Sequence, residues 1–372
     1  MNIEKLAALL DTQAVKIRED LCSRNISPKS ACGKCIASCP VQGISFSGGT
    51  FRVADCMACG LCVTACPNHV FQLNEDKLVQ LAAGSGGTLM IACPVMLNKI
   101  PAEDRPNLIR ISCLKQLYPE LLSKLLTNYA EIILLQDEVV CNDCLPGVHP
   151  EISLGGLQNA FRGKLSAKLR IVADHRKLEG EFLAKDHEMP DSYDRRSFFK
   201  SIFTGTRSFS ARLIDDTLEK LNLDTGEHHN PAALPLKKQL LLDALNRVKD
   251  PDPEALLPYP ELKINRCNLC GVCAKLCPAG ALKIKLTGEV KELVYLPQLC
   301  THCDLCKDVC LFQEINWQGY LKVKDFLRGE SKTLASSPPK ICPECEQDFY
   351  FYSTEEEKLC FLCRELHNNA QK

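Results

Sequence analysis

The sequence predicts a multidomain α+β protein in which two small cysteine-rich modules flank an α/β insert with a parallel sheet, and a short four-cysteine ribbon follows. Three observations lead there. The 24 cysteines of the 372-residue chain sort in order into six sets of four with none left over. Between the second and fourth sets, strand-like runs alternate with a helical run, and three of the strand-like runs lead into a cysteine; such alternation builds a parallel sheet. The last set consists of two C-x-x-C units fourteen residues apart, the arrangement of two knuckles around one ion.

Composition narrows the function. With 45 basic and 46 acidic side chains the net charge is −1, so there is no basic surface to attract nucleic acid. Residues 1–21 read as an amphipathic helix, with Ile3, Leu6, Leu10, Ile17 and Leu21 near helical spacing, while Glu4 and Asp11 interrupt what a signal peptide needs as an apolar core. The longest uncharged stretch, Leu78 to Asn98, contains Gly84-Ser85-Gly86-Gly87 and Pro94 and reads as helix, turn and buried strand, not as a membrane span. A cytoplasmic, reducing compartment is expected, where clustered cysteines serve as metal ligands in preference to disulfides.

Three sets have the spacing C-x2-C-x2-C-x3-C: Cys56, Cys59, Cys62, Cys66; Cys267, Cys270, Cys273, Cys277; and Cys300, Cys303, Cys306, Cys310. Proline follows Cys66 and Cys277, and Leu311 stands where the third run would have it. Paired C-x-x-C units also serve zinc, but a zinc knuckle needs neither the third cysteine nor the trailing Cys-Pro. The runs resemble those of bacterial dicluster ferredoxins, and the resemblance covers two modules, 22–76 and 261–328. It implies crossed ligation, in which the fourth cysteine of each run completes the other run's cluster. The first set, Cys22, Cys32, Cys35 and Cys39, departs from the spacing because Lys29 stands three before Cys32. It resembles a ferredoxin variant whose first ligand is displaced upstream, to Cys22; otherwise Cys22 is a buried helix residue and the cluster has three protein ligands. The implied sets are Cys22, Cys32, Cys35, Cys66 and Cys39, Cys56, Cys59, Cys62 in the first module. In the second they are Cys267, Cys270, Cys273, Cys310 and Cys277, Cys300, Cys303, Cys306, for four [4Fe-4S] clusters in all. Between the runs, GISFSGGTFRV and ALKIKLTGEVKELVYL read as hairpins, and Gly60 and Gly271 as tight-loop positions that let backbone approach the inorganic sulfurs.

In the insert, 84–176, TLMIAC, LIRISC and EIILLQDEVVC each read as a strand running into a cysteine, LKQLYPELLSKLLTNYA as a helix and KLRIVAD as a fourth strand. Parallel strands bring Cys93, Cys113, Cys141 and Cys144 to one edge, where α/β folds bind ligands; the alternative is four separate core thiols. The arrangement resembles the delta subunit of methyl-viologen-reducing hydrogenase, which implies a fifth iron–sulfur cluster, 2Fe or 4Fe, and delivery of electrons to a partner reductase. The chain departs from that family in its first loop, ACPVML, which has one cysteine.

Residues 177–260 read as a helical spacer containing PLKKQLLLDALNRVKD. Its DRRSFFK matches a twin-arginine pattern but is internal and has no apolar core after it, so Arg195, Arg196, Phe198 and Phe199 are expected to dock a helix. SKTLASSPPK has the composition of a linker, leading to a ribbon over 340–366 in which Cys342, Cys345, Cys360 and Cys363 hold zinc, or iron in the rubredoxin manner. His69, His149 and His302 lie near cysteine sets that already number four thiolates and are read as surface or supporting residues.

No dinucleotide fingerprint, phosphate loop or nucleophile with its base is present. The expected function is electron relay between redox proteins, oxidoreductase or hydrogenase-type subunits, in anaerobic metabolism, as a subunit in preference to an independent catalyst. Two other classes stand beside it: a reductase with a substrate-binding cluster in the insert, and an accessory ferredoxin for metalloenzyme maturation.

Overall fold

A computed structural model describes residues 15–73, 77–100, 108–144, 152–174, 178, 234–353 and 358–370. The chain divides into two compact units, Met1–Cys22 with Gly33–Ser201 and Asp243–Lys249, and Ser23–Cys32 with Ile202–Leu242 and Asp250–Lys372. Most of the expected N-terminal helix, and Arg195, Arg196, Phe198, Phe199 and His149, fall outside the described residues. No helix among the described residues is long and apolar enough to cross a membrane.

The first described element of the first unit is β1 (Val15–Ile17), so this end of the expected helix is extended instead. The reason is local: Val15 and Ile17 are β-branched and alternate around exposed Lys16, and the strand pairs antiparallel with the later Phe71–Leu73. The hairpin β2 (Ile44–Ser47) and β3 (Thr50–Val53) forms where expected. Its two-residue turn, Gly48-Gly49, has φ of +58° and +82°, the left-handed pair that matches the twist of a hairpin. β4 (Phe71–Leu73) closes the module, and the fully buried Phe71 packs edge-on against Phe51.

The insert is a four-stranded parallel sheet of β5 (Gly86–Ala92), β6 (Leu108–Arg110), β7 (Tyr129–Leu135) and β8 (Leu169–Val172) in the order β6-β5-β7-β8. The two central strands end in fully or nearly fully buried runs, Leu89 to Ala92 and Ile132 to Leu135, as expected where helices cover both faces. The helix Pro119–Asn128 buries Leu121, Leu122, Leu125 and Leu126, each contributing about 1.5–3 kcal/mol. Because β5 leads to one side and β7 to the other, the strand order reverses between them, the point where open α/β sheets form their crevice. One reading is corrected here: EIILLQDEVVC is not a single strand. β7 stops at Leu135 and a helix runs from Glu138 to Cys144, because the Asp137 carboxylate accepts the Val139 N–H at 2.9 Å and caps the new helix.

In the second unit, β9 (Glu261–Ile264) leads to β10 (Arg266–Cys267), and β11 (Leu282–Thr287) with β12 (Val290–Tyr295) forms the second expected hairpin, turning at Gly288 with φ +60°. β13 (Ile315–Gln318) pairs with β9. The expected linker is another correction, since Lys332–Ser337 is β14, the third strand of a β11-β12-β14 sheet. Its serines misled: Ala335 and Ser337 are buried on one face, and the Ser337 hydroxyl accepts the Phe351 N–H at 3.2 Å. The ribbon follows with β15 (Lys340–Ile341), β16 (Asp348–Phe349) and β17 (Tyr352–Ser353), and β17 pairs with β10, placing Tyr352 opposite Cys267. Of the expected spacer, the described part includes the helix Leu236–Arg247.

Candidate metal centres

The three regular cysteine runs share one backbone course. The residue before the second cysteine is left-handed in each: Ala58, Leu269 and His302, with φ of +52°, +51° and +59°. So is the residue after it, Gly60, Gly271 and Asp304, at +76°, +77° and +66°, and so is the third residue past the fourth cysteine, His69, Gly280 and Gln313, at +56°, +62° and +53°. A non-glycine residue in this region costs about 1–2 kcal/mol. The cost is offset by amides turned toward sulfur. Ala58 N–H donates to Cys56 Sγ at 3.4 Å and Leu269 N–H to Cys267 Sγ at 3.3 Å. Beyond the fourth cysteine, Val70 N–H donates to Cys66 Sγ at 3.4 Å and Ala281 N–H to Cys277 Sγ at 3.3 Å. Each third cysteine rides on a one-turn helix, Leu61–Ala65, Val272–Lys275 or Leu305–Asp308. The first set shares the one-turn helix, Lys34–Ala37 under Cys35, and the final turn, where Gln42 is at +52° and Gly43 N–H donates to Cys39 Sγ at 3.3 Å, but Gly33, in the place of Gly60, has φ −130°.

These courses leave cysteine-lined cavities. One, of about 450 Å³ counting the space at its mouth, is lined by Cys39, Cys56, Cys59 and Cys62. Another, of about 410 Å³, has Cys267, Cys270, Cys273 and Cys310 in its walls, and a third, of about 340 Å³, has Cys277, Cys300, Cys303 and Cys306. Each thus takes three cysteines from one run and one from its neighbour. Cys22 is buried in the core of the first module with Cys62 and Cys66, and Cys35 and Cys39 pack against that core. Cys32 belongs to the segment Ser23–Cys32 of the other unit, where its N–H is held by Ser30 Oγ at 3.4 Å.

The donor chemistry fits an iron–sulfur group. Burial pushes the Cys62 thiol up to about 12, with Cys59, Cys56 and Cys35 adding to the rise. Burial likewise lifts Cys273 to about 12 and Cys267 to about 11, each helped by its cavity neighbours including Cys310. Cys306 is raised by burial and then by Cys300, Cys303 and Cys277. Four such thiols become thiolates together only around bound positive charge, which iron supplies.

The insert's four cysteines share a cavity as well. Cys93 and Cys113 sit at the starts of the short helical turns Pro94–Leu97 and Leu114–Gln116, after β5 and β6, while Cys141 and Cys144 lie on the helix after β7. All four line one cavity of about 620 Å³, together with Met57, Cys59 and apolar side chains including Met96 and Leu135. Burial lifts Cys113 to about 11, and Cys59, Cys93 and Cys141 add to it.

The ribbon is of a different kind. The sulfurs of Cys342, Cys345, Cys360 and Cys363 all lie within 4.8 Å of one another, close enough to surround a single tetrahedral ion. Among the described residues no other group of cysteines, histidines or carboxylates is so close. N–H groups of Cys360 and Cys345 bring the Cys342 thiol down to about 6.

His302 supports its loop, in line with its reading from the sequence, while Tyr259, Trp317 and Asp304 beside it have no sequence signal. His302 stacks on Tyr259 with ring centroids 5.5 Å apart, lies 5.0 Å from Trp317, and its Nε2 is 2.9 Å from Pro260 O. Trp317 Nε1 donates to Asp304 Oδ1 at 2.8 Å, which steadies that left-handed residue. Where glycine holds the same position the space is smaller: a Cβ on Gly271 meets Ile284 Cγ1 at 2.9 Å. Gly271→Ala is therefore expected to cost about 1–3 kcal/mol through strain at positive φ and crowding together. Thermal unfolding of the metal-loaded protein measures it, and an unchanged midpoint contradicts the steric reading.

Three stretches match family models: residues 266–313 a 4Fe-4S dicluster domain, and residues 51–72 and 20–42 each a 4Fe-4S binding domain. The comparison with curated proteins found no match. The chain thus carries three stretches similar to ferredoxin-type 4Fe-4S domains, and each takes in cysteines of the sets described above.

Proposed function

We propose that this chain is an electron-transfer subunit that carries four [4Fe-4S] clusters in two crossed pairs, a fifth iron–sulfur cluster in the insert and a zinc ion in the ribbon. In this reading Cys267, Cys270, Cys273 and Cys310 hold one cluster and Cys277, Cys300, Cys303 and Cys306 its partner. Cys39, Cys56, Cys59 and Cys62 hold a third, and Cys22, Cys32, Cys35 and Cys66 the fourth. The observation that carries it is the mixed membership of the cavities, three cysteines from one run and the fourth from the other, which is how crossed ligation distributes them. For Cys22, support comes from its burial beside Cys66 and from a matched span, 20–42, that takes in the whole first set. Bound clusters supply one-electron storage. The protein's part is to bury the thiolates and aim backbone N–H groups at them, which sets the potential.

The partners are redox proteins of oxidoreductase or hydrogenase type, and the setting is a reducing cytoplasm under anaerobic conditions. Iron, sulfide and zinc analysis of anaerobically purified protein tests the inventory: about 16 iron atoms in the two modules, further iron in the insert, and one zinc. Zinc in place of module iron overturns the reading. One observation favours a second reading, in which the insert acts as a reductase centre. Cys144 is exposed at the rim of an apolar cavity, leaving room for a substrate beside the metal. A spectral change of that centre on adding a small disulfide favours the reductase, and its absence favours the relay.

A further inference from the structure

We propose that the insert pocket and the pocket of Cys39, Cys56, Cys59 and Cys62 form one redox-coupled pair, with Cys59 as their common wall and Gln116 as the residue that fixes their spacing. The proposal rests on the reading that both pockets hold clusters.

Cys59 lines both cavities, and Met57, two residues before it, does so too. The loop that carries them is clamped to the segment after Cys113. Gln116 Nε2 donates to Ala58 O at 3.2 Å, Thr64 Oγ1 reaches Lys115 O at 3.1 Å, and Gln116 is nine-tenths buried. Gly60 is required at the contact: a Cβ there lies 2.4 Å from Gln116 Cγ, and φ is +76°. Cys113, one turn before Gln116, opens the Leu114–Gln116 turn whose C-terminal residue makes the clamp. Cys113 and the turn it opens therefore line one pocket and hold the left-handed loop residue of the other. Two metal pockets that needed only to be stable have no use for a shared cysteine wall. A pair that exchanges electrons does, because magnetic and redox coupling both fall off with separation. An electron lost at one pocket is gained at the other, and no bond is made or broken.

The test uses the full chain, purified without oxygen and reduced with dithionite, with iron content and electron paramagnetic resonance as readouts. In the unsubstituted protein, spin–spin interaction is expected to broaden the signal of the first module. The Cys141→Ser/Cys144→Ser double variant should lose insert iron and narrow that signal. Iron loss without any narrowing overturns the pairing and leaves the fifth cluster standing; no iron loss overturns the fifth cluster and the pairing with it. Gln116→Ala should keep its iron yet weaken the interaction at least twofold, and Gln116→Met, which retains bulk but donates nothing, should weaken it less. Full coupling in Gln116→Ala overturns the role given to Gln116.

Discussion

Replacing Cys310 with serine is expected to remove about four iron atoms per chain and to abolish the centre of Cys267, Cys270 and Cys273, forty residues upstream, while the centre of Cys300, Cys303 and Cys306 survives. The expectation follows from the cavity walls. Cys310 belongs by sequence to the run that begins at Cys300, but it lines the cavity of the Cys267 run. Cys277 makes the opposite exchange, so Cys277→Ser should empty the Cys300 site instead. Burial has already raised the thiols of Cys267 and Cys273 to about 11 and 12. Without the compensation of bound iron these groups stay protonated at neutral pH, so a site short of one ligand does not persist as a cluster of charged thiolates. Protons compete with iron for every one of these sulfurs, and loss of iron from the variant should quicken as pH falls. Iron content and the low-temperature spectrum of the reduced protein decide the matter. Loss confined to the run that carries the mutation shows that the runs do not cross.

Much of this was legible because the chemistry forces a spacing. C-x2-C-x2-C-x3-C is readable in the sequence, and the structure gives it a physical counterpart in left-handed residues repeated at matched positions. The irregular first run was legible too: Lys29 stands where a cysteine would be, and Gly33 lacks the left-handed turn of Gly60 and Gly271. The insert's sheet could be read from LIRISC and TLMIAC, since apolar runs that end together mark buried parallel strands. What escaped was decided by single side chains acting across the fold. Asp137 ends a strand by capping a helix that periodicity cannot separate from it. Ser337 looks like linker composition until a distant amide, that of Phe351, uses its hydroxyl. Gln116 has no signal of its own, because its partner at Ala58 is 58 residues away. Val15 and Ile17 follow their β-branched preference once Phe71–Leu73 offers a strand to pair with.

A chain that stops before Lys340 is expected to lose not only the ribbon's metal but also the iron proposed for Cys267, Cys270, Cys273 and Cys310. Composition argues the other way, since a closed set of four cysteines after a serine- and proline-rich stretch should come away cleanly. The structure binds the two parts at three levels. Backbone pairing sets Cys267 opposite Tyr352. Phe312, in the wall of the Cys267 cavity, meets Phe351 and Phe361 edge-on at 5.8 and 5.5 Å, and the Arg364 guanidinium lies 5.1 to 5.7 Å from all three rings. Buried Phe351 also donates its N–H to Ser337 in β14. Each edge-on aromatic pair contributes about 0.5–1.5 kcal/mol beyond its buried area, and burial of Phe351 about 1.5–3 kcal/mol. A stability difference of several kcal/mol is large against the whole stability of a small domain. Removing the ribbon strips one wall from the support of the cavity and exposes Phe312 to water. Iron analysis of the truncated protein should fall by about four atoms, and its unfolding midpoint should drop. Cys345→Ser, at the one exposed cysteine of the ribbon, weakens the four-sulfur site without deleting Phe351 or Phe361, so it should retain more iron than the truncation does. Full iron in the truncated chain means that the ribbon is an independent appendage and that the contacts around Phe312 carry little energy.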